Sequence, residues 1–533
     1  MLKKRFLFLA LVTCWHTVIA GEIRGFWEDL PPMPTPRQEV ATALLGGDMY
    51  VLGGLTDTIP GTATVEVFDT AAGQWRAAPP LPRGIHHGSA AVLDGKIYSV
   101  GGFGAAVPIF GNPIADVYEF DPDLGAWQVR APLPSVRGSL FTVALQGRLY
   151  AIGGRDTVNS RTDVTVYDPV QNQWSQAAPL PLGLDHLAAA VVEGKIYVAG
   201  GRVTQGGFFL RNDPSAFVYD AQLDQWSPLA DLPTPRSGHA AASVAGFLLV
   251  VGGEEPGRVF NQNEAYAPAE DRWISLPDLP TARHGLAIAS VGNRMFTAGG
   301  GTVANIQPTG QAEVFNLLSF LTSLPQIGVG PDITSRLVLG NPGRQPLHVV
   351  AEFHRGEAGD DFSLSLDGQS ASQLQLGIAA EGRVTLTTDP AALTGSAAAT
   401  LFSNAPLLGN VLFSGPQGFA GVAVTEGGRR LFVNLSRDTG EGADSGVALA
   451  DLSGQSNLIT LSLLDSQGQL LSQRPLELEG FGQAARLISE LFEDDVPDPF
   501  NGSLRIEGQG LVGAVAILLR PGQFATLPVS VVE

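Results

Sequence analysis

Lys96-Ile97-Tyr98-Ser99-Val100-Gly101-Gly102 decides the fold, because the chain repeats it. Its relatives are Met49-Tyr50-Val51-Leu52-Gly53-Gly54, Leu149-Tyr150-Ala151-Ile152-Gly153-Gly154 and Ile196-Tyr197-Val198-Ala199-Gly200-Gly201. Two further copies end at Gly252-Gly253 and Gly299-Gly300, with Leu249 and Phe296 in place of the tyrosine. Six copies at a period near fifty residues indicate a repeat architecture. Each unit of such a chain buries its apolar faces only against its neighbours.

The rest of the unit grows outward from that strand. Before it stands a strand of small apolar residues, such as Ser89-Ala90-Ala91-Val92-Leu93. The two are joined by hairpin pairs that include Asp94-Gly95, Gln146-Gly147 and Glu193-Gly194. After a variable loop comes a third strand ending in an aromatic residue and, in most copies, an acid. Val65-Glu66-Val67-Phe68-Asp69 is one example. Seven residues after that aromatic stands a tryptophan: Phe68 leads to Trp75, Phe120 to Trp127, Tyr167 to Trp174, Tyr219 to Trp226 and Tyr266 to Trp273. Four antiparallel strands repeated radially make a β-propeller blade.

The sixth copy lacks its tryptophan, since Thr322 stands seven residues after Phe315. The missing residue is found at the start of the chain, in Gly25-Phe26-Trp27. The N-terminal strand is therefore expected to complete the last blade, closing the ring and removing the free sheet edges.

A Gly-Gly doublet after a Tyr strand, an aromatic-Asp strand and a Trp seven residues later resemble the kelch repeat. The resemblance covers about the first three fifths of the chain and implies a six-bladed kelch β-propeller. Kelch propellers include enzymes, adaptors and adhesive proteins, so the fold leaves function open.

The expected fold class is all-β, with a leader over 1–20, the propeller over 22–317, a connector over 318–331, and two β-sandwich (Ig-like) modules over 332–437 and 438–533. Lys3, Lys4, Arg5 and the apolar run from Phe6 read as a bacterial secretory signal cut near Ala20. A secreted or periplasmic location follows from that reading. Cys14 is the only cysteine, and cleavage would remove it and leave no thiol. Thr13 is bulky for the position before a lipidated Cys14. No stretch of the mature chain is long and apolar enough for a helical membrane span. The net charge of -20 excludes nucleic acid as the expected partner. The modules rest on alternating apolar and polar sequence with Gly and Asn turns, and on two similar halves. Ser335-Arg336-Leu337-Val338-Leu339-Gly340 is echoed by Ser445-Gly446-Val447-Ala448-Leu449-Ala450.

Candidate site residues gather just before each innermost strand and just after each doublet. The first set holds Arg37, Glu39, Arg83, His86, His87, Arg137, Asp185, His186, Arg236, His239, Arg283 and His284; the second holds Arg155, Arg202, Glu254, Glu255 and Arg258. From these, Arg37, His87, Arg137, Arg155, His186, Arg202, Arg236, His239 and His284 are taken as the ligand-binding set. Arg and His around one mouth suit an anionic or polyhydroxylated ligand, because Arg makes bidentate bonds to carboxylates and His moves protons near neutral pH. No cofactor and no metal are expected. Blade symmetry spreads the imidazoles around a ring, so ligand distances cannot be read from the sequence.

Two functions compete. One is an exported binding protein that takes a glycan or a protein ligand at the propeller mouth. The other is a carbohydrate-active enzyme. Gly253-Glu254 with Pro256-Gly257-Arg258 resembles a loop of the N-acetylneuraminate epimerases, which implies Glu254 as general base and Arg258 as carboxylate holder. A copper oxidase of the galactose oxidase type needs a Cys cross-linked to Tyr, which the mature chain lacks. Hydrolase motifs of the Gly-x-Ser-x-Gly and His-Glu-x-x-His kinds are absent. The binding reading is taken first, with no catalytic residue assigned.

Overall fold

A computed structural model describes residues 23–531, apart from 59–60, 105–111, 319, 330–333, 342–346, 356–359, 362, 368, 381–382, 390–394, 405–406, 416–417, 424, 427, 439, 441–443, 454, 521–522 and 528. The leader over 1–20, with Cys14, lies outside the described residues. The chain forms two units, Arg24–Leu317 and Leu318–Glu533, the second including Met1–Ile23. Among the described residues no helix is long and apolar enough to cross a membrane.

The first unit is a six-bladed β-propeller in which every blade is a four-stranded antiparallel sheet. Blade 1 runs Ala41–Leu45, Asp48–Leu52, Val65–Asp69 and Gln74–Ala78, and the next four blades follow the same order. In the sixth, Ala287–Val291, Arg294–Ala298 and Ala312–Leu318 are completed by Arg24–Leu30, as the displaced tryptophan requires. Trp27 packs on Phe315 at 5.0 Å between ring centroids, and the five other aromatic–Trp pairs lie at 4.9 to 5.3 Å. Each indole also donates to a carbonyl that follows the outer strand of the preceding blade. Trp75 reaches Pro31, and Trp27 reaches Pro277 at 2.9 Å. The same bond thus seals the seam where the two ends of the ring meet.

The doublets hold blade to blade. The second glycine of each donates its N–H to a carbonyl of the next blade: Gly54 to Ile85, Gly102 to Arg137, Gly154 to Leu184, Gly201 to Arg236, Gly253 to Arg283 and Gly300 to Arg37. Gly102 shows why no side chain is tolerated there. Its φ is +108°, and a Cβ would stand 2.7 Å from Ile85 and 2.9 Å from Gly88.

The second unit has two hydrophobic cores. The first lies between a six-stranded and a four-stranded sheet, with Leu337 and Leu339 on one side and Val349, Phe353 and Leu401 on the other. The second is enclosed by one eight-stranded sheet folded over on itself. Its long strand Phe500–Arg520 pairs with Gly428–Arg437 and Asn457–Leu464 early on, then with Asp444–Asp451 and Gln523–Leu527. Two expected boundaries need correction. The connector over 318–331 contains a sheet strand, Phe320–Val329, whose register shifts between Leu324 and Ile327 around Pro325, a residue without a backbone donor. Strand Gly428–Arg437, assigned by sequence to the first module, supplies Leu431, Val433 and Leu435 to the second core.

Candidate functional site

The segment before each innermost strand has four positions, and each faces a different way. At the first stand Arg37, Ile85, Arg137, Leu184, Arg236 and Arg283; the four arginines are 0% exposed. Each turns into its own blade. Arg37 donates to Gly53 O at 2.7 Å and pairs with Glu66 at 2.8 Å. Arg137 binds Gly153 O, Asp163 O and Thr165. Arg236 pairs with Glu264, and Arg283 with Glu313. Arg37, Arg137 and Arg236 are therefore scaffold, not mouth residues. A buried guanidinium must satisfy its donors locally, and the doublet carbonyls are the nearest acceptors.

The third position of the segment forms a closed circle. Glu39, His87, Ser139, His186, Gly238 and Gly285 all have φ between 50° and 61°. Each N–H donates to the carbonyl of its counterpart in the preceding blade, at 2.7 to 3.0 Å, and Glu39 closes the circle by donating to Gly285. For the four residues that are not glycine, this backbone costs about 1–3 kcal/mol each. The circle of bonds holds them in it.

The second position points to the mouth beside the residue after the doublet: Gln38 pairs Leu55, His86 pairs Phe103, Gly138 pairs Arg155, Asp185 pairs Arg202, Ser237 pairs Glu254 and His284 pairs Gly301. These positions and the hairpin loops enclose a cup of about 260 Å³. Its floor holds Glu39, His87, Gln38, Arg202, Glu254 and His284, and its walls Leu55, Phe209, Pro256 and Ile306. Beneath the circle a second cavity of about 260 Å³ follows the axis between the alanine-rich innermost strands, with Glu39 and His87 bordering both.

Arg202 organises the floor. It contacts Asp185 at 2.9 Å, His186 Nε2 at 2.9 Å and Glu254 at 3.5 Å. His186 Nδ1 faces Asp185 at 2.5 Å, so Nδ1 carries the proton and Nε2 accepts from Arg202. Burial, then the Arg202 charge, lowers the His186 pKa to about 4. Burial also holds the Asp185 site in a tension that its hydrogen bond to His186 and the charges of His186 and Arg202 resolve, leaving its pKa below the usual carboxylate range. Burial first, then repulsion from Glu254, raises Glu39 to about 8. Glu39 lies 3.3 Å from both His87 and His284.

Two overlapping segments, 27–180 and 128–300, match the model of the KLHDC2/KLHL20/DRC7 Kelch-repeats domain and together span just over half of the chain. The chain belongs to the kelch-repeat family. No curated protein matches it significantly. Among solved structures, that of YjhT is similar at a TM-score of 0.47 and 18% identity, over 54% of this chain and 96% of that one.

Within the kelch mouth the remaining sequence candidates divide. His87, Arg202, Glu254 and His284 line the cup, and His186 adjoins it through Arg202. Arg155 is 7% exposed and binds the carbonyls of Asp156 and Thr157 in its own loop. His239 stands one position too late: it faces the preceding blade, with Nε2 2.8 Å from Ala199 O. Arg258 does not join Glu254. It lies over the Phe260 ring at 4.7 Å and 3.8 Å from Glu255, so the expected acid–carboxylate-holder pair is not assembled. Gln38, Phe209 and Ile306 of the cup escaped the sequence reading. Gln38 alone had a usable signal, since it sits at the same offset before a doublet as His284.

The buried imidazoles make the kelch propeller acid-sensitive. Burial holds His239 at a pKa of about 3 and His186 at about 4, against 6.5 in an unfolded chain. Below pH 6.5 the unfolded state takes up these protons and the folded state does not. Stability is therefore present in full above pH 6.5 and falls as the pH drops toward 4, by up to about 1.4 kcal/mol per pH unit for each group. Glu39 acts in the opposite sense between pH 4.5 and 8, because the folded state holds its proton there. All described tryptophans belong to the propeller, so their fluorescence reports this unit. His239→Gln should flatten the fall of Tm between pH 6.5 and 4.5; a slope equal to that of the parent contradicts the assignment.

Proposed function

We propose that the propeller mouth binds a small polyhydroxylated ligand, a single sugar ring or the terminal residue of a glycan, in a protein exported by its N-terminal leader. The cup carries this reading. Its volume of about 260 Å³ falls just below the range of ~300–1,000 Å³ for small-molecule sites, which suits one ring and not a protein side. Its floor offers both donors and acceptors, and Phe209 supplies an apolar wall at 39% exposure. The charge favours a neutral sugar over an acidic one. Glu254 and Glu255 line the cup, whereas Arg202 is already engaged by Asp185 and Glu254.

Saturation-transfer NMR on the full chain with neutral and acidic monosaccharides tests the proposal. Transfer is expected to neutral sugars, and Phe209→Ala should weaken affinity about fivefold or more, on the order of 1 kcal/mol. Transfer to no sugar, or transfer that Phe209→Ala leaves unchanged, overturns the reading.

A further inference from the structure

Three side chains on the cup floor converge without a charge balance of their own. His284 Nε2 lies 3.3 Å from Glu39 Oε1 and 3.6 Å from Glu254 Oε2, and one ligand atom of each residue lies within 4.8 Å of the others. Ligands held ~2.0–2.2 Å from a tetrahedral ion stand about 3.3–3.6 Å apart along its edges. Both separations from His284 Nε2 fall in that interval.

The imidazole is already set in a ligating tautomer. His284 Nδ1 lies 3.2 Å from Gly301 O, which can only accept, so Nδ1 carries the hydrogen. Nε2 then presents its lone pair toward the carboxylates. The Gln38 amide agrees with this tautomer: its oxygen accepts from Gln307 N at 2.9 Å, and its nitrogen donates to His284 Nε2 at 3.2 Å, a hydrogen bond that a bound ion would replace. A backbone carbonyl on the far ring nitrogen is the usual outer partner of a metal-bound histidine.

The backbone leaves room for this convergence at two glycines. A Cβ on Gly285 would stand 2.6 Å from the Glu39 carboxyl, and one on Gly301 would stand 2.4 Å from His284 Cε1. Gly238 and Gly285 occupy circle positions where the other four blades carry Glu39, His87, Ser139 and His186. Beside Glu39, the circle carries no side chain at the two positions that precede it.

We propose that Glu39, Glu254 and His284 bind one divalent transition-metal ion of the zinc type, with a fourth coordination position open to the cup. Two carboxylates match the ion's charge, and the imidazole selects against calcium and magnesium, which take oxygen ligands. Glu254 keeps its other oxygen, Oε1, 3.5 Å from Arg202. The sequence reading expects no metal, because the three ligands come from blades 1, 5 and 6, more than two hundred residues apart at the extremes. The proposal goes beyond the sugar-binding reading and does not depend on it.

The test uses the metal alone. The full chain is dialysed against chelator and titrated with zinc chloride by calorimetry, with no sugar present. One ion per chain is expected. His284→Ala and Glu254→Gln should each weaken binding at least about tenfold, while Glu270→Gln, on an outer turn of blade 5, should leave it unchanged. Tryptophan fluorescence establishes that each variant is folded, and Glu254→Gln carries the test if His284→Ala is not. No zinc binding by the parent chain, or affinity undiminished in the folded ligand variants, overturns the proposal. Zinc binding without sugar binding would leave this site standing and remove only the sugar reading.

Discussion

Deleting residues 24–30 is expected to lower the melting temperature of the propeller by more than about 10 °C. The deletion removes the outer strand of blade 6 and both contacts of Trp27, with Phe315 and with Pro277 O. It uncovers Phe315, which is 0% exposed, and opens a sheet edge. The milder Trp27→Ala should cost about 2–3 kcal/mol, less than the roughly 3–5 of a fully buried aromatic because Trp27 is half-buried. At ~2–4 °C per kcal/mol for a unit of this size, that alone is readable by fluorescence or calorimetry. A peptide covering residues 23–31, added to the deleted chain, should restore part of the loss by pairing with the open edge. A deleted chain that melts with the parent would show that the ring does not depend on its N-terminal strand.

The buried ion pairs give the second large effect. Arg283→Leu strands the Glu313 carboxylate, itself 0% exposed, at a cost of about 3–5 kcal/mol. The propeller carries its own alternative to this pair. At the equivalent positions blade 4 has Leu184 and Phe217, and blade 2 has Ile85 and Tyr118, packed into apolar cores. The double variant Arg283→Leu, Glu313→Phe copies blade 4 and leaves no charge unpaired. It should be more stable than either single variant, because a well-packed apolar pair replaces a buried ion pair at little cost. It should still fall short of the parent by about 1–2 kcal/mol, since Gly299 O and Gln311 O lose the Arg283 donors. Urea unfolding of the four chains measures the coupling. A double variant no more stable than Arg283→Leu would mean that the guanidinium holds the blade by its carbonyl bonds and not by charge.

Spacing carried the fold in the sequence, and orientation limited the site. Trp27 could be assigned to blade 6 because the seven-residue interval that leaves blade 6 without its tryptophan is a property of the chain alone. The candidate segment, by contrast, turns through a left-handed residue within four positions. Arg37 faces its own sheet, Gln38 the cup, Glu39 the circle, and His239, one place further along blade 5, the neighbouring blade. A shift of one residue separates scaffold from site, and residue type does not reveal it: arginine is the commoner choice at the scaffold position. Phe209 and Ile306 were hidden for another reason. They lie in loops without repeat constraint, and only the fold brings them to one wall. In the second unit, strand Gly428–Arg437 was assigned to the wrong core because its partners lie some seventy residues further along the chain.

The circle of six backbone hydrogen bonds at the third position also sets how far the floor of the cup can give. A row of hydrogen bonds with free ends can stretch at one end and relax at the other. A loop without ends cannot: widening it anywhere breaks a bond or strains all six. The floor therefore behaves as a gauge of fixed bore, not as an iris. Under the proposed sugar-binding reading it cannot widen for a larger ligand, and adaptation is left to the hairpin that bears Phe209.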